Sequence, residues 1–363
     1  MAHIRRVDGR PRPWVVRYRT PLGAERSRSF ARKTDAENFA VMIESSKLSG
    51  EFVDPRRSKV LVSDWAETWF GVVSPTLKPK TVASYRSLLR SRVLPAFGAW
   101  PLSRLQPSDV QGWIGKMEAG GLSPSRIRQA HVVLSSLLDA AVRDHHLARN
   151  PAHKPRLPRM ERHEAPYFEP TVVDAIVEAV PDDYRAFIAV QGVLGLRFGE
   201  AAALRSRSVN VLRRRLQVEE SLAEVSGALI FGPTKTHAAR SVPIAPSVLE
   251  HLRSHLTGDA DSLLFTSARG LPLRYSRFRP TVWVPTLDRL GLPRTGLHVL
   301  RHSAAARMIG TGWSAKAVQQ VLGHGSAAFT LSVYGHLFDD DLDALGEALD
   351  STSRGTGAVQ SLR

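Results

Sequence analysis

The sequence predicts a mainly α-helical protein of several domains, with small β-sheets in its first and last thirds. Amphipathic helical periodicity covers most of the chain from about residue 61 onward. Strand-like alternation occurs in short runs near the N-terminus and between residues 209 and 244. The 363 residues suggest two or three domains, and 43% hydrophobic residues are enough to bury separate cores.

The charge balance of the chain favours a polyanionic partner. The net charge is +16 and the pI is about 10.8, which is typical of proteins that bind nucleic acid. There is no cysteine, so disulfides and thiolate zinc sites are excluded. Neither a secretory signal nor an apolar run long enough to span a membrane is found. We therefore expect a cytoplasmic protein.

Residues 1–55 predict a small sheet with a helix packed behind it. Residues 14–19 alternate like a strand, residues 21–23 form a turn signal, and a second strand and a helix follow. We expect arginines on the sheet face away from the helix, where a β-ribbon fits the DNA major groove. The candidates for DNA contact are Arg17, Arg19 and Arg28. The alternative is that these arginines only keep a small sheet soluble.

Residues 60–153 predict a helical bundle. Thr81 and Ser108 are the predicted N-caps of two helices, and a long helix begins at Ser123-Pro124 and ends before Asn150. Exposed basic residues, the candidates for DNA contact in this region, are Lys78, Lys80 and Arg126. Taken alone, the pattern fits any small helical domain.

Residues 154–168, rich in proline and charge, predict a linker. Residues 169–350 predict an α+β domain that is mostly helical. Three short strands, at 216–218, 228–231 and 241–244, are expected to form one small three-stranded sheet. A helix is predicted to begin at Phe338, and residues 351–363 are expected to be a disordered tail.

Six polar side chains in the last domain are candidates for chemistry on a phosphodiester. They are Arg197 in Gly-Leu-Arg-Phe-Gly-Glu, Lys235, His298 and Arg301 in His-Val-Leu-Arg-His, His324 in Leu-Gly-His, and Tyr334. A guanidinium matches phosphate oxygens with its fork, and a tyrosine can act as a nucleophile. Nearby cations should favour the phenolate. Because the sequence has no metal-binding or phosphate-loop motif, we expect the cations to be side chains, with no cofactor.

In order and spacing these boxes resemble the tyrosine recombinases, the phage-integrase family. The resemblance implies that all six residues are catalytic, with Tyr334 as the nucleophile and Lys235 as the acid that protonates the 5′ oxygen. It implies that Glu200 orients an arginine and that His302 is structural. Val299 departs from the family pattern, in which an acidic residue is frequent at this position. Whether this chain makes the supporting contact of that acidic residue is therefore open, whereas the chemistry is not affected.

The resemblance also implies a function: a site-specific recombinase, the integrase of a phage or an integrative element. Such an enzyme cleaves DNA through a 3′-phosphotyrosyl link and exchanges strands through a Holliday junction. Residues 1–55 then resemble an arm-type DNA-binding domain, and residues 60–153 resemble a core-type one. Expected partners are double-stranded attachment sites and three further copies of the chain in a tetramer. An excisionase and a host DNA-bending protein are further candidate partners, and the resemblance implies a place on the nucleoid of a bacterial host.

Three alternatives remain open at this point. A chromosome- or plasmid-resolving recombinase shares the boxes but usually lacks the N-terminal domain. A type IB topoisomerase shares the tyrosine chemistry but religates the same strand. A non-catalytic DNA-binding regulator can keep the fold, and a gap in the catalytic set would favour it.

Overall fold

The structure, a computed structural model, describes residues 2–20, 23–48, 57–160, 165–234, 239–256 and 258–338. The chain forms two compact units, Met1–Glu161 and Arg162–Arg363. The secondary structure is mostly helical and the sheets are small, which confirms the predicted fold class at this level. None of the described helices is long and apolar enough to cross a bilayer. Of the predicted helix that begins at Phe338, only Phe338 itself is described, and the predicted tail 351–363 lies outside the described residues.

The first unit begins with an antiparallel sheet in the order β1-β2-β3, followed by a helix. The bounds are β1 His3–Arg6, β2 Trp14–Arg19, β3 Glu25–Phe30 and α1 Lys33–Leu48. Val16 and Tyr18 of β2 and Phe39 of α1 are buried in a small core of their own. The sequence prediction lacks β1, because its four residues contain one apolar side chain and form an edge that pairs with β2 alone.

The alternation of side chains separates the three arginines predicted to contact DNA. Arg17 and Arg19 are exposed, on the face of β2 opposite Val16. Arg28 pairs with Val16 and therefore lies on the α1 side of the sheet. Its guanidinium is 5.0 Å from the centre of the Phe39 ring. The prediction that Arg28 shares the open face is therefore wrong.

The rest of the first unit is a helical bundle. The bounds are α2 Val62–Val73, α3 Pro79–Leu88, α4 Leu94–Phe97, α5 Pro107–Ala119 and α6 Pro124–Arg143. Short 3₁₀ or π segments occur between several of them. The long helix α6 buries one side against α2, where the Trp65 indole N–H donates to the Leu137 carbonyl at 3.0 Å. This bundle has its own core, separate from that of the N-terminal sheet.

Proline marks the start of three helices in this bundle. Pro79, Pro107 and Pro124 are the first residues of α3, α5 and α6. Proline suits this position because its φ is already helical and the N–H it lacks would have no partner in the helix. The predicted caps Thr81 and Ser108 lie inside α3 and α5, so those two predictions are wrong.

The second unit combines nine described helices with five strands. The helices are α7 Pro170–Ala179, α8 Asp182–Gly192, α9 Phe198–Ala202, α10 Pro246–Arg253, α11 Tyr275–Phe278, α12 Val284–Arg289, α13 His298–Gly310, α14 Ala315–Leu322 and α15 Ala327–Tyr334. The strands are β4 Val209–Asn210, β5 Arg215–Val218, β6 Glu220–Val225, β7 Ala228–Pro233 and β8 Arg240–Pro243.

The three predicted strands exist but do not form one sheet. They correspond to β5, β7 and β8, and the three-stranded sheet has the order β4-β5-β8. Strand β7 instead pairs with β6 in a separate hairpin. Ser226 and Gly227 both have positive φ, at 49° and 82°, which is the turn that closes a two-residue hairpin. This tight turn commits β7 to its immediate neighbour in sequence.

Helix α13 connects the main core of the second unit to a smaller one. Leu300 packs into the main cluster together with Phe187 of α8 and the fully buried Trp283. Further along the same helix, Ala305 and Ile309 belong to a smaller cluster that includes Tyr334. The candidate residues on α13 are thus held between two packed regions.

Candidate active site

A tight turn between α8 and α9 presents Arg197. Gly195 has φ 77°, in the left-handed region that favours glycine. A Cβ at this position would lie 2.3 Å from the side chain of Leu322. Arg197 directly precedes α9, and its backbone N–H and Nη1 donate to the Glu200 carboxylate at 3.0 and 2.7 Å. The turn and one carboxylate therefore fix the guanidinium, whose side chain remains 25% exposed.

Glu200 is shared between two arginines. Its side chain is 1% exposed and also accepts from Arg240 Nη1 and Nη2, at 3.1 and 2.7 Å. Burial raises the pKa of Glu200, but the hydrogen bonds and charges of Arg240 and Arg197 outweigh it and lower the pKa to about 2. Arg240 also donates through Nε to the Val321 carbonyl at 2.8 Å. Glu200 thus orients Arg197 and links α9 to β8, and Arg240 links β8 to the end of α14.

Arg301 is almost completely buried and is held by backbone carbonyls. It is 2% exposed, and it donates from Nη1 to Gly195 at 2.8 Å and from Nη2 to Leu322 at 2.6 Å. These bonds use two of its five N–H groups. Burial, followed by the charge of Arg197, lowers the pKa of Arg301 to about 9, so it stays cationic at neutral pH. A buried cation of this kind is stabilised by an anion that enters the site.

Tyr334 lies at the end of α15 and is 3% exposed. Burial raises its pKa to about 12, although the charges of Arg301 and Arg197 act in the opposite direction. The two arginine charges act in the predicted direction, but desolvation outweighs them, so the net effect favours the neutral phenol. The tyrosine is a neutral phenol that needs a proton acceptor before it can act as a nucleophile.

The side chain in contact with the phenol hydroxyl is that of His302, which the family pattern treats as structural. The Nδ1 atom of His302 lies 2.7 Å from the hydroxyl oxygen of Tyr334. His298, one turn earlier on α13, packs edge-on against His302 with ring centres 4.8 Å apart. Burial is the main cause of a lowered pKa in both, to about 4 for His298, and nearby positive charge adds to it. Both rings are therefore neutral at physiological pH.

His324 follows the left-handed glycine that ends α14. Gly323 has φ 67°, and the His324 ring lies nearly parallel to that of Tyr334, with centres 6.3 Å apart. Its Nδ1 is 2.9 Å from Thr330 Oγ1, which fixes the ring and leaves Nε2 on the other side. Burial and the charge of Arg301 lower the pKa of His324 to about 3, so this ring is also neutral.

The structure thus brings together five of the six predicted catalytic residues: Arg197, His298, Arg301, His324 and Tyr334. The sixth, Lys235, lies outside the described residues, between the end of β7 and the start of β8. His302 and Arg240 belong to the same cluster but are not among the predicted site residues. The second histidine of His-Val-Leu-Arg-His was a usable signal for His302, whereas nothing in the spacing indicates that Arg240 reaches Glu200.

In the first unit, the basic candidates of the bundle lie near the beginnings of two helices that pack together. Lys78 directly precedes α3, Lys80 is in its first turn, and Arg126 is in the first turn of α6. Arg126 donates to Gln129 at 2.9 Å. Across the described residues of both units, no group of three or more His, Asp or Glu side chains is arranged to hold a metal ion.

Two family models match the chain. Residues 166–340 match the Phage integrase family, and residues 61–117 match the Phage integrase, N-terminal SAM-like domain. The integrase of Mycobacterium phage D29 is 25% identical over 326 residues, which cover 85% of this chain and 86% of that protein. The ICEBs1 integrase of Bacillus subtilis is 23% identical over 289 residues, covering 75% and 78%.

Solved structures share the fold at low sequence identity. The Tn1549 transposon integrase in complex with transposon right end DNA superposes with a TM-score of 0.70 and 20% identity, covering 80% of this chain and 100% of that one. A lambda integrase tetramer bound to a Holliday junction superposes with a TM-score of 0.57 and 19% identity, covering 87% and 91%.

Proposed function

We propose that this chain, which belongs to the phage integrase family and is a tyrosine site-specific recombinase, uses Tyr334 to break and rejoin DNA. The observation that carries the proposal is the placement of one buried phenol beside two arginines that come from distant segments of the chain. Arg301 and Arg197 are both close enough to Tyr334 to act on its pKa. A structural tyrosine has no need of a costly buried cation such as Arg301, with a second, partly exposed arginine in the same site.

In the cleavage step, Tyr334 Oη attacks the phosphorus of one phosphodiester. The Oη–P bond forms and the P–O5′ bond breaks, which leaves a 3′-phosphotyrosyl link and a free 5′ hydroxyl. In the rejoining step, a 5′ hydroxyl from a partner strand attacks that link and releases the tyrosine. Because the phosphoester bond energy is kept in the link, the exchange needs no ATP.

The two guanidinium groups are proposed to bind the non-bridging phosphate oxygens, where negative charge accumulates in the transition state. Arg301 suits this role because only two of its N–H groups are engaged by carbonyls. Arg197 suits it because Glu200 fixes its position while part of its side chain stays exposed. Together they provide a preorganised anion site, which costs little reorganisation when the reaction occurs.

His324, His298 and Lys235 are proposed to complete the site. If Thr330 donates to Nδ1 of His324, the Nε2–H of that ring is free to donate to the phosphate. His298 lies beside His302 and would contact the phosphate on the same side as Arg301. Lys235 is proposed as the acid that protonates the leaving 5′ oxygen, on the strength of its place in the family pattern alone.

The first unit is proposed to hold DNA through phosphate contacts. On the N-terminal sheet, the open face offers Arg17 and Arg19, and Arg5, which pairs with Val15 on the same side, extends it. In the bundle, we propose phosphate contacts by Lys78 and Lys80 at the start of α3 and by Arg126 in the first turn of α6. On attachment sites we propose a homotetramer, supported by the Holliday-junction tetramer of the structurally similar lambda integrase. An excisionase and a DNA-bending protein would set the direction of exchange.

The deciding experiment traps the covalent intermediate. A duplex that binds wild-type protein is selected from a randomised library and nicked beside the cleavage point, so that the cleaved fragment diffuses away. The nicked duplex is incubated with the protein, and the mixture is run on a denaturing gel. Wild type should give a protein–DNA adduct, and Tyr334→Phe should give none while keeping its DNA affinity. Loss of the hydroxyl removes the nucleophile without changing the packing of the ring.

Tyr184→Phe is the matched control, because Tyr184 is a partly buried tyrosine of the same unit that packs on Phe278. It should form the adduct at the wild-type rate. An adduct that persists in Tyr334→Phe, or peptide mapping that places the link on another residue, would overturn the assignment of the nucleophile.

A further inference from the structure

We infer that His302 is the proton acceptor for Tyr334 in the cleavage step and returns the proton in the rejoining step. This inference rests on the proposed function and adds a residue to it. The contact is a 2.7 Å approach between His302 Nδ1 and Tyr334 Oη, the atom that attacks phosphorus. It assigns chemistry to the histidine that directly follows Arg301 and that the sequence pattern treats as structural.

The geometry favours His302 over the other two imidazoles of the site. His324 stacks on the tyrosine ring at a centre distance of 6.3 Å, and its Nδ1 is directed to Thr330. His298 packs against His302, and its T-shaped contact supports the orientation of the His302 ring. Among the described residues, His302 is the imidazole with a nitrogen at hydrogen-bond distance from the nucleophilic oxygen.

The groups that surround His302 keep it able to accept a proton. His298 and Arg301 come from its own helix, and Tyr334 comes from α15. Burial, followed by the charge of Arg301, lowers the pKa of His302, so the ring is neutral before DNA binds. A neutral ring with Nε2 protonated offers an Nδ1 lone pair to the phenol O–H.

The proton cannot move ahead of bond formation, because the pKa of the phenol is about 12 and that of the imidazole lies below its usual range. The transfer becomes favourable as the Oη–P bond forms and draws electrons from the phenol oxygen. The O–H proton then passes to Nδ1 while the P–O5′ bond breaks, and the leaving oxygen takes its proton from the general acid. In the rejoining step the attacking 5′ hydroxyl gives its proton to the deprotonated general acid, the Oη–P bond breaks, and Nδ1 returns its proton to the phenolate.

The alternative is an ordinary structural hydrogen bond that anchors α15. His302→Asn separates the two, because the amide keeps a polar group near the position of Nδ1 but cannot take up a proton. In single-turnover cleavage of the nicked duplex, the acceptor role predicts a rate about 10²–10⁴-fold below wild type. The wild-type rate should fall at low pH as His302 becomes protonated, and the variant should lack that fall. A structural bond preserved by asparagine would leave both the rate and the pH profile unchanged.

A substrate with sulfur in place of the bridging 5′ oxygen distinguishes the base from the acid. A thiolate leaves without being protonated, so this substrate should restore the rate of a variant that lacks the general acid, such as Lys235→Ala. It should leave the defect of His302→Asn in place. Restoration of His302→Asn by the sulfur substrate would overturn the inference, as would a low-pH fall that disappears in His298→Asn and persists in His302→Asn.

A third experiment separates loss of the proton acceptor from loss of packing in a His302 variant of reduced stability. Site-specific replacement of Tyr334 by 3-fluorotyrosine makes the phenol more acidic, so the reaction depends less on an acceptor. The fluorinated His302→Ala protein should recover part of its cleavage rate relative to unfluorinated His302→Ala, and a protein damaged only in packing should not. If wild type itself forms no adduct, the proposed function fails; if wild type forms it and His302→Asn matches its rate, only this inference fails.

Discussion

The two arginines of the site are held in opposite ways. Arg197 is paired with a buried carboxylate, Glu200, which it shares with Arg240. Arg301 is anchored by two neutral carbonyls, and among the described residues no carboxylate lies within ion-pair distance of it. The pKa of Arg301 is accordingly lowered to about 9, chiefly by burial. Arg197 thus has a carboxylate beside it, whereas the partners of Arg301 are carbonyls, and we propose that a DNA phosphate provides its counter-charge.

Burial and, to a smaller extent, the charge of Arg301 keep two histidines of the site neutral. Burial lowers the pKa of His298 and of His324, to about 4 and about 3, and the charge of Arg301 contributes in both cases. A bound phosphodiester adds one negative charge to the same space. It should raise both pKa values towards their ordinary range and strengthen any hydrogen bond that these rings donate to the phosphate.

Lysine substitution at the two arginines tests the comparison most strongly. Arg301→Lys keeps the charge but loses the fork that spans Gly195, Leu322 and the phosphate, and it should slow single-turnover cleavage by about 10²–10³-fold. Arg197→Lys should slow it by about tenfold less, because Glu200 and Arg240 still define that side of the site. Equal losses would show that the difference in anchoring has no effect on catalysis, and a larger loss at Arg197 would show that the carboxylate-held arginine is the main phosphate ligand. DNA affinity and melting temperature, measured in parallel, serve as folding controls.

Removing the carboxylate tests the compensated side. Glu200→Gln leaves Arg240 and Arg197 without a counter-charge and should lower the free energy of unfolding at pH 7 by about 3 kcal/mol, the value of a pKa shift from 4.5 to about 2. The pKa is lower in the folded state, so this stability is fully present above the unfolded pKa. This contribution to stability is lost as the pH falls through the pKa that Glu200 has in the folded state. Denaturant titrations should therefore show the difference between wild type and variant shrinking between about pH 4.5 and pH 2.

Glu178→Gln is the matched surface control. Glu178 is 64% exposed and lies 3.7 Å from Arg185, and exposed pairs of this kind contribute less than about 1 kcal/mol. The control should therefore unfold close to wild type at every pH. A pH-independent difference between wild type and Glu200→Gln would mean that Glu200 acts through packing rather than through its charge.

The sequence predicts the local features of this protein well, and contacts between distant segments poorly. Helices begin at prolines such as Pro124 and follow apolar periodicity, because both are local properties of the chain. The boxes around Arg197 and Tyr334 are recognisable because each is a short run. The contact of Arg240 with Glu200 joins positions 40 residues apart. It depends on how β8 and α9 come together in the folded domain, which no local pattern encodes.

Electrostatic outcomes were harder to predict than positions. Proximity to cations favours the phenolate of Tyr334, and burial opposes it; the balance depends on solvent exposure that only the packed structure defines. His302 was visible in the sequence as the second histidine of its box. Its contact with Tyr334 depends on the angle between α13 and α15, and the sequence alone therefore could not distinguish a structural ring from a reacting one.

The glycine that supplies a carbonyl to Arg301 gives the finest test. Gly195→Ala places a Cβ 2.3 Å from Leu322 at φ 77°, whereas Gly227→Ala has φ 82° and nothing within 4 Å. Both substitutions incur the left-handed strain, about 1 kcal/mol, but only the first adds a clash. Gly195→Ala should be less stable than Gly227→Ala by about 1–2 kcal/mol in denaturant titrations. It should also slow cleavage, because Leu322 is the second carbonyl anchor of Arg301 and leads directly to His324. Equal stability and equal cleavage rates of the two variants would mean that the turn and the end of α14 can shift apart without displacing Arg301, which lies between them.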